Sequence, residues 1–302
     1  MLPPSENRKF IEDADLFDEG YIAVIHIDGN GVGQHVLKYG NDLAGLKKFS
    51  ASLRTVTESA AKAAFDALVN HPESDDAQWI QARAIVLGGD DLTVIVHGKF
   101  AIPFAEFYLR DFRMKADKHP ETRGITASAG IALVKSGWPF AQAHALAEDL
   151  CRATKKELGR ERSGLLFHRV TTADADLKWK EIRDSELKCG SDHVLAHGPW
   201  LLEHLPKLDT LCAAASNLPR GALRNWVGEC RVSETRAKAR WQRLREVADE
   251  GAMEHFDRAL QDLDVGVQTG WSDMRTPIPD ALMWINLQSE KRTGDLRLWR
   301  TT

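Results

Sequence analysis

Apolar positions in the first half of the chain follow two different spacings. Residues 21–28 (YIAVIHID) form a short, almost continuous apolar run, as expected of a strand that is covered on both faces. Apolar side chains recur every three or four positions over residues 43–67, which predicts one long amphipathic helix. The Val- and Ile-rich runs 79–87 and 92–97 are joined by GGDD and predict a β-hairpin, because glycine supplies the backbone angles of a tight turn.

Two more helices and two more strands follow the hairpin. Pro103 opens a helix with several aromatic side chains on one side, and residues 124–134 predict a strand. A second helix is predicted over residues 139–157, and residues 163–170 close the series as a strand. Counting the hairpin as two strands, the first six elements make a ferredoxin-like βαββαβ unit, so the predicted fold class is α+β.

The pattern changes after about residue 171. Polar residues dominate at first, and helical spacing of apolar residues then continues into the charged stretch 234–259. We therefore divide the chain into an N-terminal tail (1–20), the βαββαβ domain (21–173) and a mainly helical domain (174–302). Most of the nine tryptophans lie in the helical domain, and we interpret them as core side chains rather than as stacking platforms.

The overall charge of the chain is close to neutral. A formal net charge of -4 and a pI near 6.3 provide no general attraction to nucleic acid or to a membrane, so any phosphate binding has to be local. Basic residues of the charged stretch either face nucleic acid or form a solvated surface paired with neighbouring carboxylates, and we favour the second interpretation. The basic residues are Lys238, Arg240, Arg243 and Arg245, and the carboxylates are Glu234, Glu246 and Asp249.

Cysteine usage and hydropathy indicate the cellular setting. The four cysteines have no C-x-x-C spacing, which argues against a zinc knuckle or a disulfide framework and favours a reducing cytoplasm. Residues 1–20 have no apolar core, so a signal peptide is not expected. No apolar run reaches about 18 residues, and a membrane span is therefore not expected either.

The GGDD turn and the end of the first strand carry the candidate chemistry. Asp90 and Asp91 are adjacent carboxylates at a hairpin tip, and a divalent cation would relieve their repulsion. Asp28 ends the first strand, which we expect to lie next to the strand that enters the hairpin. The three carboxylates are therefore predicted to hold Mg²⁺ or Mn²⁺, and the alternative is a solvated turn plus an aspartate that caps a helix.

Glycines surround these carboxylates and suggest a place for phosphates. Gly88 and Gly89 leave room for a triphosphate at the turn, and open backbone amides after the first strand suit phosphate and metal together. The residues of this segment that we assign to nucleotide binding are Gly29, Asn30, Gly31 and Gly33. Lys155 and Lys156 either neutralise a triphosphate or simply favour the end of a helix.

Four segments in this order resemble the GGDEF/CRISPR-polymerase group of nucleotidyl cyclases. They are the IDG of the first strand, the GGDD hairpin, the strand ITASAGIALV and the helix PFAQAHALAEDLCRATKK. Within this group, residues 21–170 look most like the cyclase palm of the large polymerase-like subunit of type III CRISPR effector complexes. The chain is much shorter than that subunit and shows one palm and no HD nuclease segment, so it resembles a stand-alone relative.

The resemblance implies conversion of ATP, or another nucleoside triphosphate, into cyclic oligoadenylates or related cyclic nucleotides, with two divalent cations and a role in antiviral defence signalling. Carried onto this sequence, Asp28, Asp90 and Asp91 are the catalytic metal ligands. Residues 156–159 look like the K-x-x-G of diguanylate cyclases, which makes Lys156 the better phosphate partner. Related cyclases bring two palms together, so the resemblance is compatible with a homodimer.

Two positions close to Asp28 depart from the family pattern. Many members have an acidic residue two positions before or after the first-strand aspartate, where this chain has His26 and Asn30. His26 shares a strand face with Asp28, so the two are alternative occupants of the metal position. A palm that binds nucleotide as a sensor without turnover is therefore a second hypothesis. A template-dependent polymerase is a third, and the near-neutral charge argues against it.

Overall fold

The computed structural model describes residues 20–71, 82–171, 178–190 and 192–288, and the backbone of 9–10 and 79–80. The described residues fall into two compact units. The first contains those up to residue 171 together with Pro199–Leu202, and the second contains 178–198 and those from Glu203 onward. The predicted domain boundary after residue 173, and the predicted tail apart from residues 9–10 and 20, lie outside the described residues.

Strands and helices are mixed in the first part of the chain, whereas helices dominate the rest. In chain order, the first part contains β1 (Lys9–Phe10), β2 (Tyr21–Asn30), α1 (Val32–Leu37), α2 (Leu43–Val69), β3 (Trp79–Ile80), β4 (Ala82–Gly88), β5 (Asp91–His97), α3 (Ala101–Ala116), β6 (Thr126–Lys135), α4 (Phe140–Leu158) and β7 (Gly164–Arg169). The remainder are α5 (Trp179–Ile182), β8 (Lys188–Cys189), β9 (His193–Val194), β10 (Trp200–Leu201), α6 (Leu205–Ser216), α7 (Arg220–Cys230), α8 (Glu234–Val247), α9 (Glu250–Gln261) and α10 (Ile278–Gln288).

The first unit is built on a six-stranded sheet with the order β10-β7-β6-β2-β5-β4. Its part β6-β2-β5-β4 is antiparallel throughout and, with α2 and α3, forms the predicted ferredoxin-like unit. The α+β fold class with a helical C-terminal region is therefore confirmed. Beyond this unit, α4 leads to β7, which is parallel to β6.

The prediction that the first strand lies next to the strand that enters the hairpin is wrong. β2 pairs with β5, the strand that leaves the hairpin, and β5 separates β2 from β4. The reason is that α2 is a crossover, which returns the chain to a strand parallel to β2. The hairpin then folds β5 back into the space between the two parallel strands, and this places the hairpin tip directly beside the end of β2.

Helix α4 approaches the sheet closely at one glycine. A Cβ atom at Gly130 of β6 would overlap the backbone of Ala147 and Cys151 and lie 2.9 Å from the Cβ of Leu150. The Sγ–H of Cys151 donates to the carbonyl of Ser128 at 3.1 Å, which fixes the helix further along the same strand. Because α4 and the sheet are almost in backbone contact, side chains on this helix face reach the end of β2.

β4 is the outer strand of the sheet among the described residues. Its pairing with β5 shifts register between Ala84 and Val86, which marks a β-bulge. The residues that follow Ala82 in β4 are exposed, whereas the residues of β5 after Asp91 are buried. The GGDD turn therefore joins an exposed edge strand to a buried strand.

The second unit is mainly helical and has tryptophans in its core. Trp226 and Trp284 are each 1% exposed, and Trp179 and Trp241 are also buried, so the core interpretation is confirmed for these side chains. Two of the four basic residues of α8 are paired as predicted, with Lys238–Glu234 at 2.7 Å and Arg243–Glu246 at 3.2 Å. Arg245 instead forms two hydrogen bonds of 2.7 Å with Asp257, and Asp249 caps α9.

All four cysteines are buried free thiols, in agreement with their irregular spacing. Among the described helices, none combines the length and the apolar character that crossing a membrane requires.

Candidate metal and nucleotide site

Three carboxylates from two segments meet beside the end of β2. Asp28 lies near the end of β2, Asp90 lies in the two-residue turn of the β4–β5 hairpin, and Asp91 begins β5. The antiparallel register pairs Ile27 with Leu92, so Asp28 and Asp91 lie side by side. The carboxyl group of Asp28 lies close enough to those of Asp90 and Asp91 for its charge to raise the pKa of both. The structure thus brings together the three carboxylates that the sequence singles out.

Two glycines make this approach sterically feasible. A Cβ atom at Gly29 would lie 2.9 Å from both the Cβ and the Oδ2 of Asp90, and 2.8 Å from a methyl group of Val32. Gly89, the other residue of the turn, has a φ of 62°, in the left-handed region that favours glycine. Gly29 therefore acts by allowing the hairpin tip to lie against β2, rather than only by leaving room for a ligand.

The carboxylates repel one another in a partly buried setting. Burial raises the pKa of Asp90 to about 6, with further contributions from the charges of Asp28 and Asp91. Burial and the charge of Asp28 also raise the pKa of Asp91, while the ammonium group of Lys155 opposes this rise. A positive charge placed among the three groups would relieve both the repulsion and the desolvation of the ionised forms.

One cation already lies against this cluster. The ammonium group of Lys155 donates a hydrogen bond to Oδ2 of Asp28 and another, at 2.9 Å, to the carbonyl oxygen of Gly29. Its neighbour Lys156, the predicted phosphate partner, is exposed on α4. The site thus contains one of the two lysines that the sequence offers, and the assignment of Lys156 to phosphate stays a prediction.

Helical spacing explains which side chains of α4 face the carboxylates. His144, Glu148, Cys151 and Lys155 are separated by four, three and four residues, so they follow one stripe of the helix. His144 contacts Thr93 of β5, and Cys151 contacts β6, which confirms that this stripe faces the sheet. The same stripe carries Lys155 to Asp28.

A histidine lies next to the carboxylates and is held by a hydrogen-bond chain. His26 Nδ1 is 3.2 Å from the hydroxyl oxygen of Thr93, and this oxygen is 3.3 Å from Nε2 of His144. Ligand atoms of His26, Asp28 and Asp91 all lie within 4.8 Å of one another. Burial lowers the pKa of His26. His26 and Asp28 are alternatives at the sequence level, but the structure places both of them beside Asp91.

Thr93 and His144 are site residues that the sequence analysis did not identify. Thr93 lies two positions after Asp91 in β5, and alternation puts both side chains on one face of the strand. It is paired with His26 across the strands. Thr93 could therefore have been predicted from its spacing to the GGDD turn. His144 could not, because the sequence does not show which face of α4 lies against the sheet.

In the segment after Asp28, Asn30 has a role inside the fold, whereas the backbone at some of the glycines is unobstructed. Asn30 is 2% exposed, and its side-chain amide donates to the Thr126 hydroxyl at 2.8 Å and to the Arg162 carbonyl at 3.1 Å. These contacts hold the loop that follows α4. Gly31 has a φ of 73° and is the N-cap residue of α1, a short helix that the sequence pattern did not predict. A Cβ atom at Gly33 or at Gly88 would meet no other atom within 4 Å, so the backbone is open at both positions.

The donor set fits a divalent cation. Carboxylate oxygens are the preferred ligands of Mg²⁺ and Mn²⁺, and here they converge with an imidazole nitrogen in reach. Burial first, and then the charge of Asp28, raise the pKa values of Asp90 and Asp91, and a cation bound at these groups would favour their ionised forms. The residues that would hold an ion are His26 and the three carboxylates.

The fold and the site together define a nucleotidyl cyclase-like palm. Its features are an antiparallel ferredoxin-like sheet with one carboxylate near the end of the first strand and two at the tip of the following hairpin. Residues 21–164 match the family described as Cas10/Cmr2, second palm domain. The resemblance seen in the sequence is therefore confirmed for residues 21–164, which are similar to the second palm domain of Cas10/Cmr2.

Solved structures of the Csm1-Csm4 cassette support the same fold. The cassette in complex with cA4 matches with a TM-score of 0.53 and 13% identity, covering 91% of this chain and 38% of that chain. The cassette in complex with one ATP matches with a TM-score of 0.52 and 14% identity, covering 94% and 40%. The active GGEEF domain of a diguanylate cyclase from Vibrio cholerae matches more weakly, with a TM-score of 0.33 and 15% identity, covering 50% and 85%.

The similarity to the cassette is limited in extent. The chain spans 38% to 40% of the length of these two Csm1-Csm4 cassette chains. No curated protein matches the sequence.

Proposed function

We propose that this protein is a metal-dependent nucleotidyltransferase that converts ATP into a cyclic oligonucleotide or cyclic dinucleotide, as a second messenger of antiviral defence. The observation that carries the proposal is the convergence of Asp28, Asp90 and Asp91 in a palm, with raised carboxyl pKa values. Structural carboxylates are normally paired with cations or solvated, whereas these face one another around a single ammonium group.

The chain's own residues have separable roles in this proposal. Asp28, Asp90 and Asp91 would hold two divalent cations, and these would supply activation of a ribose hydroxyl and stabilisation of the leaving pyrophosphate. Gly88 and Gly33 keep the backbone open, so that phosphate oxygens can approach the carboxylates. In-line attack of a 3′ or 2′ hydroxyl on an α-phosphate then depends mainly on positioning and charge.

A lysine supplies the positive charge for the triphosphate. The ammonium group of Lys155 donates to Asp28 and therefore already lies at the carboxylates. An ammonium group is a good donor to phosphate oxygens, and Lys155 would supply it beside the carboxylates. Lys156, exposed on the neighbouring position of α4, is the second candidate for this role.

Nucleotide identity and assembly are part of the proposal. ATP as substrate is supported by the palm family and by the ATP and cA4 complexes of the cassette structures. In a homodimer, two palms would face each other, so that a hydroxyl on one bound nucleotide meets the α-phosphate on the other. Analytical ultracentrifugation with and without a non-hydrolysable ATP analogue tests this arrangement.

The alternative is a palm that binds nucleotide without turnover. Two observations favour it: Lys155 already neutralises Asp28, and the family's flanking acidic positions are His26 and Asn30. Asn30 is used inside the fold, where it holds the loop after α4. The two functions differ in one measurable respect, which is whether pyrophosphate and a linked nucleotide product form.

The test is product analysis with matched variants. Purified protein is incubated with each nucleoside triphosphate and Mg²⁺ or Mn²⁺, and the products are identified by mass spectrometry. The double variant Asp90→Asn/Asp91→Asn is expected to lose product formation by at least about a hundredfold. Asp66→Asn is the control, because Asp66 is an exposed carboxylate on α2 that pairs with Lys62.

Each result decides between the two functions. Products that disappear in the double variant and persist in Asp66→Asn support the enzyme. Nucleotide binding with no product under any nucleotide or metal contradicts the enzyme and supports the sensor. Equal product formation by the double variant would show that the activity comes from elsewhere.

A further inference from the structure

We propose that His26 is a nitrogen ligand of the ion held by Asp28 and Asp91, so that this position takes Mn²⁺ in preference to Mg²⁺. The inference rests on the proposed metal site and adds the identity of the ion. Its geometric basis is that ligand atoms of the three side chains lie within 4.8 Å of one another. Opposite ligands of an octahedral ion are about 4.2 Å apart, twice a metal–ligand distance of about 2.1 Å, so small side-chain movements bring all three into range.

The orientation of the imidazole follows from the groups behind it. Nδ1 of His26 lies 3.2 Å from the Thr93 hydroxyl, whose oxygen is also 3.3 Å from Nε2 of His144. A hydroxyl donates only one hydrogen. If it donates to His144, it accepts from Nδ1–H of His26, and Nε2 of His26 is left with a free lone pair.

The far end of the chain of hydrogen bonds supports this direction. With Nε2 of His144 as an acceptor, its proton is on Nδ1, and this atom lies 3.9 Å from a carboxylate oxygen of Glu148. The carboxylate thus favours the tautomer of His144 that accepts from Thr93. Metal-binding histidines usually donate their second ring N–H to such a partner, which fixes the tautomer and the plane of the ring.

The choice of ion follows from donor chemistry. Mg²⁺ takes oxygen ligands almost exclusively and gives up its water molecules reluctantly. Mn²⁺ accepts carboxylate oxygens equally well and gains more from an imidazole nitrogen, as do the later divalent transition metals. A set of two carboxylates and one histidine therefore selects for Mn²⁺ where a third carboxylate would not.

Thr93 and His144 act as positioning residues in this scheme. They touch the ligand and not the ion, and they set which nitrogen of His26 is available. Thr93 is 1% exposed in β5, and the antiparallel pairing places it directly across from His26. Replacing its hydroxyl with a methyl group keeps the volume and removes the hydrogen-bond chain.

The test measures Mn²⁺ alone, without nucleotide. Pulsed EPR of bound Mn²⁺ reports whether a ¹⁴N nucleus is coordinated, and titration followed by EPR of the free ion gives its affinity, with Mg²⁺ as competitor. Wild-type protein is expected to show the ¹⁴N signal and to prefer Mn²⁺ by at least about tenfold. His26→Asp is expected to bind Mn²⁺ without that signal and with a smaller preference. Thr93→Val is expected to weaken Mn²⁺ binding about tenfold or more.

Controls and outcomes separate this inference from the proposed function. His255→Ala removes an exposed imidazole from α9 and is expected to change neither signal nor affinity. Bound Mn²⁺ without a ¹⁴N signal, no Mn²⁺ binding, or equal affinities for Mn²⁺ and Mg²⁺ would each overturn the inference. If product forms with Mg²⁺ and any of these results is found, the proposed enzymatic function is supported and the role of His26 as a ligand is contradicted. A ¹⁴N signal with no nucleotide product would support His26 as a ligand and contradict the proposed enzymatic function.

Discussion

The ammonium group of Lys155 donates hydrogen bonds to both the carboxylate of Asp28 and, at 2.9 Å, the carbonyl oxygen of Gly29. Lys155 belongs to α4 and its two acceptors belong to β2, so this contact connects the last helix of the palm to the end of its first strand. The side chain of Lys155 is 19% exposed and that of Asp28 is 35% exposed. Both side chains are therefore partly shielded from solvent. As a result, the ion pair influences the net charge of the site and the ligands that the site can bind.

Lys155→Met and Lys156→Met are expected to behave differently. Loss of Lys155 leaves Asp28 facing two other carboxylates, and we expect the free energy of unfolding to fall by about 1–2 kcal/mol, a value already reduced for solvent exposure. ATP affinity is expected to fall about tenfold or more, since a charge-assisted contact is lost. Urea unfolding and calorimetric titration measure the two effects. A larger loss of ATP affinity in Lys156→Met than in Lys155→Met would instead support Lys156 as the phosphate partner.

The raised pKa of Asp90 predicts a dependence of stability on pH. With a pKa of about 6 in the folded protein and 3.8 as the ordinary value, the folded state binds this proton more tightly than the unfolded chain. The free energy of unfolding contributed by Asp90 therefore falls as the pH rises from about 4 to about 6, and Asp91 acts in the same direction. Melting temperatures in EDTA across this range should fall with rising pH in wild-type protein.

The matched variant for the pH effect is Asp90→Asn. It removes the ionisation and keeps the shape, so its melting temperature should exceed that of wild type near neutral pH and approach it at about pH 4. Added Mn²⁺ should stabilise the wild type more than this variant, because binding to the folded state raises its stability and the variant lacks one of the carboxylates. Identical pH profiles for the two proteins would contradict the assigned pKa.

Gly29→Ala is expected to separate the hairpin tip from β2. The new methyl group would lie 2.9 Å from Asp90 and 2.8 Å from Val32, so the turn has to move. We expect a loss of about 1–3 kcal/mol in the free energy of unfolding, together with a smaller stabilisation by Mn²⁺, because Asp90 moves away from the other carboxylates. Gly33→Ala is the control, because its Cβ meets nothing within 4 Å and the position is helical, where alanine is favoured. Equal effects of the two substitutions would argue against a role of Gly29 in placing Asp90.

Gly130→Ala tests the close packing of α4 against β6. A methyl group at this position would overlap the helix backbone at Ala147 and Cys151, so we expect destabilisation of about 3 kcal/mol or more. The helix carries His144 and Lys155, and its displacement should also weaken Mn²⁺ binding. Gly137→Ala, in an open turn before the same helix, should change stability by less than about 1 kcal/mol. Thermal melts and Mn²⁺ titration of both variants check these expectations.

Most of the palm could be predicted because its elements have clear periods. The apolar run of β2, the three-four spacing of α2 and the glycine-containing turn each match one type of element. The predicted pairing partner of β2 is wrong because strand order depends on the path of the connections between strands. Neither the spacing of apolar residues nor the composition encodes that path directly. β10 was missed for a related reason: it has two residues and pairs with β7, which lies far away in the sequence.

The carboxylates of the site could be located from sequence, but the surrounding groups could not. Asp28, Asp90 and Asp91 stand at the ends of recognisable strands, so their convergence follows from the topology. The choice between Lys155 and Lys156 depends on the helix face, which is fixed by the close approach at Gly130. Asn30 shows the opposite case, since its position suggests ligand binding and its contacts are internal.

The bulge in β4 affects what the edge of the sheet can do. A straight outer strand offers a row of free N–H and C=O groups to any extended chain that comes near. The register shift between Ala84 and Val86 interrupts that row and increases the local twist, which makes continuation of the sheet by a further strand unfavourable. Among the described residues, the turn that carries Asp90 therefore lies beside a strand edge that disfavours pairing with another chain, so addition of a β-strand would not be the way in which this end of the sheet is covered.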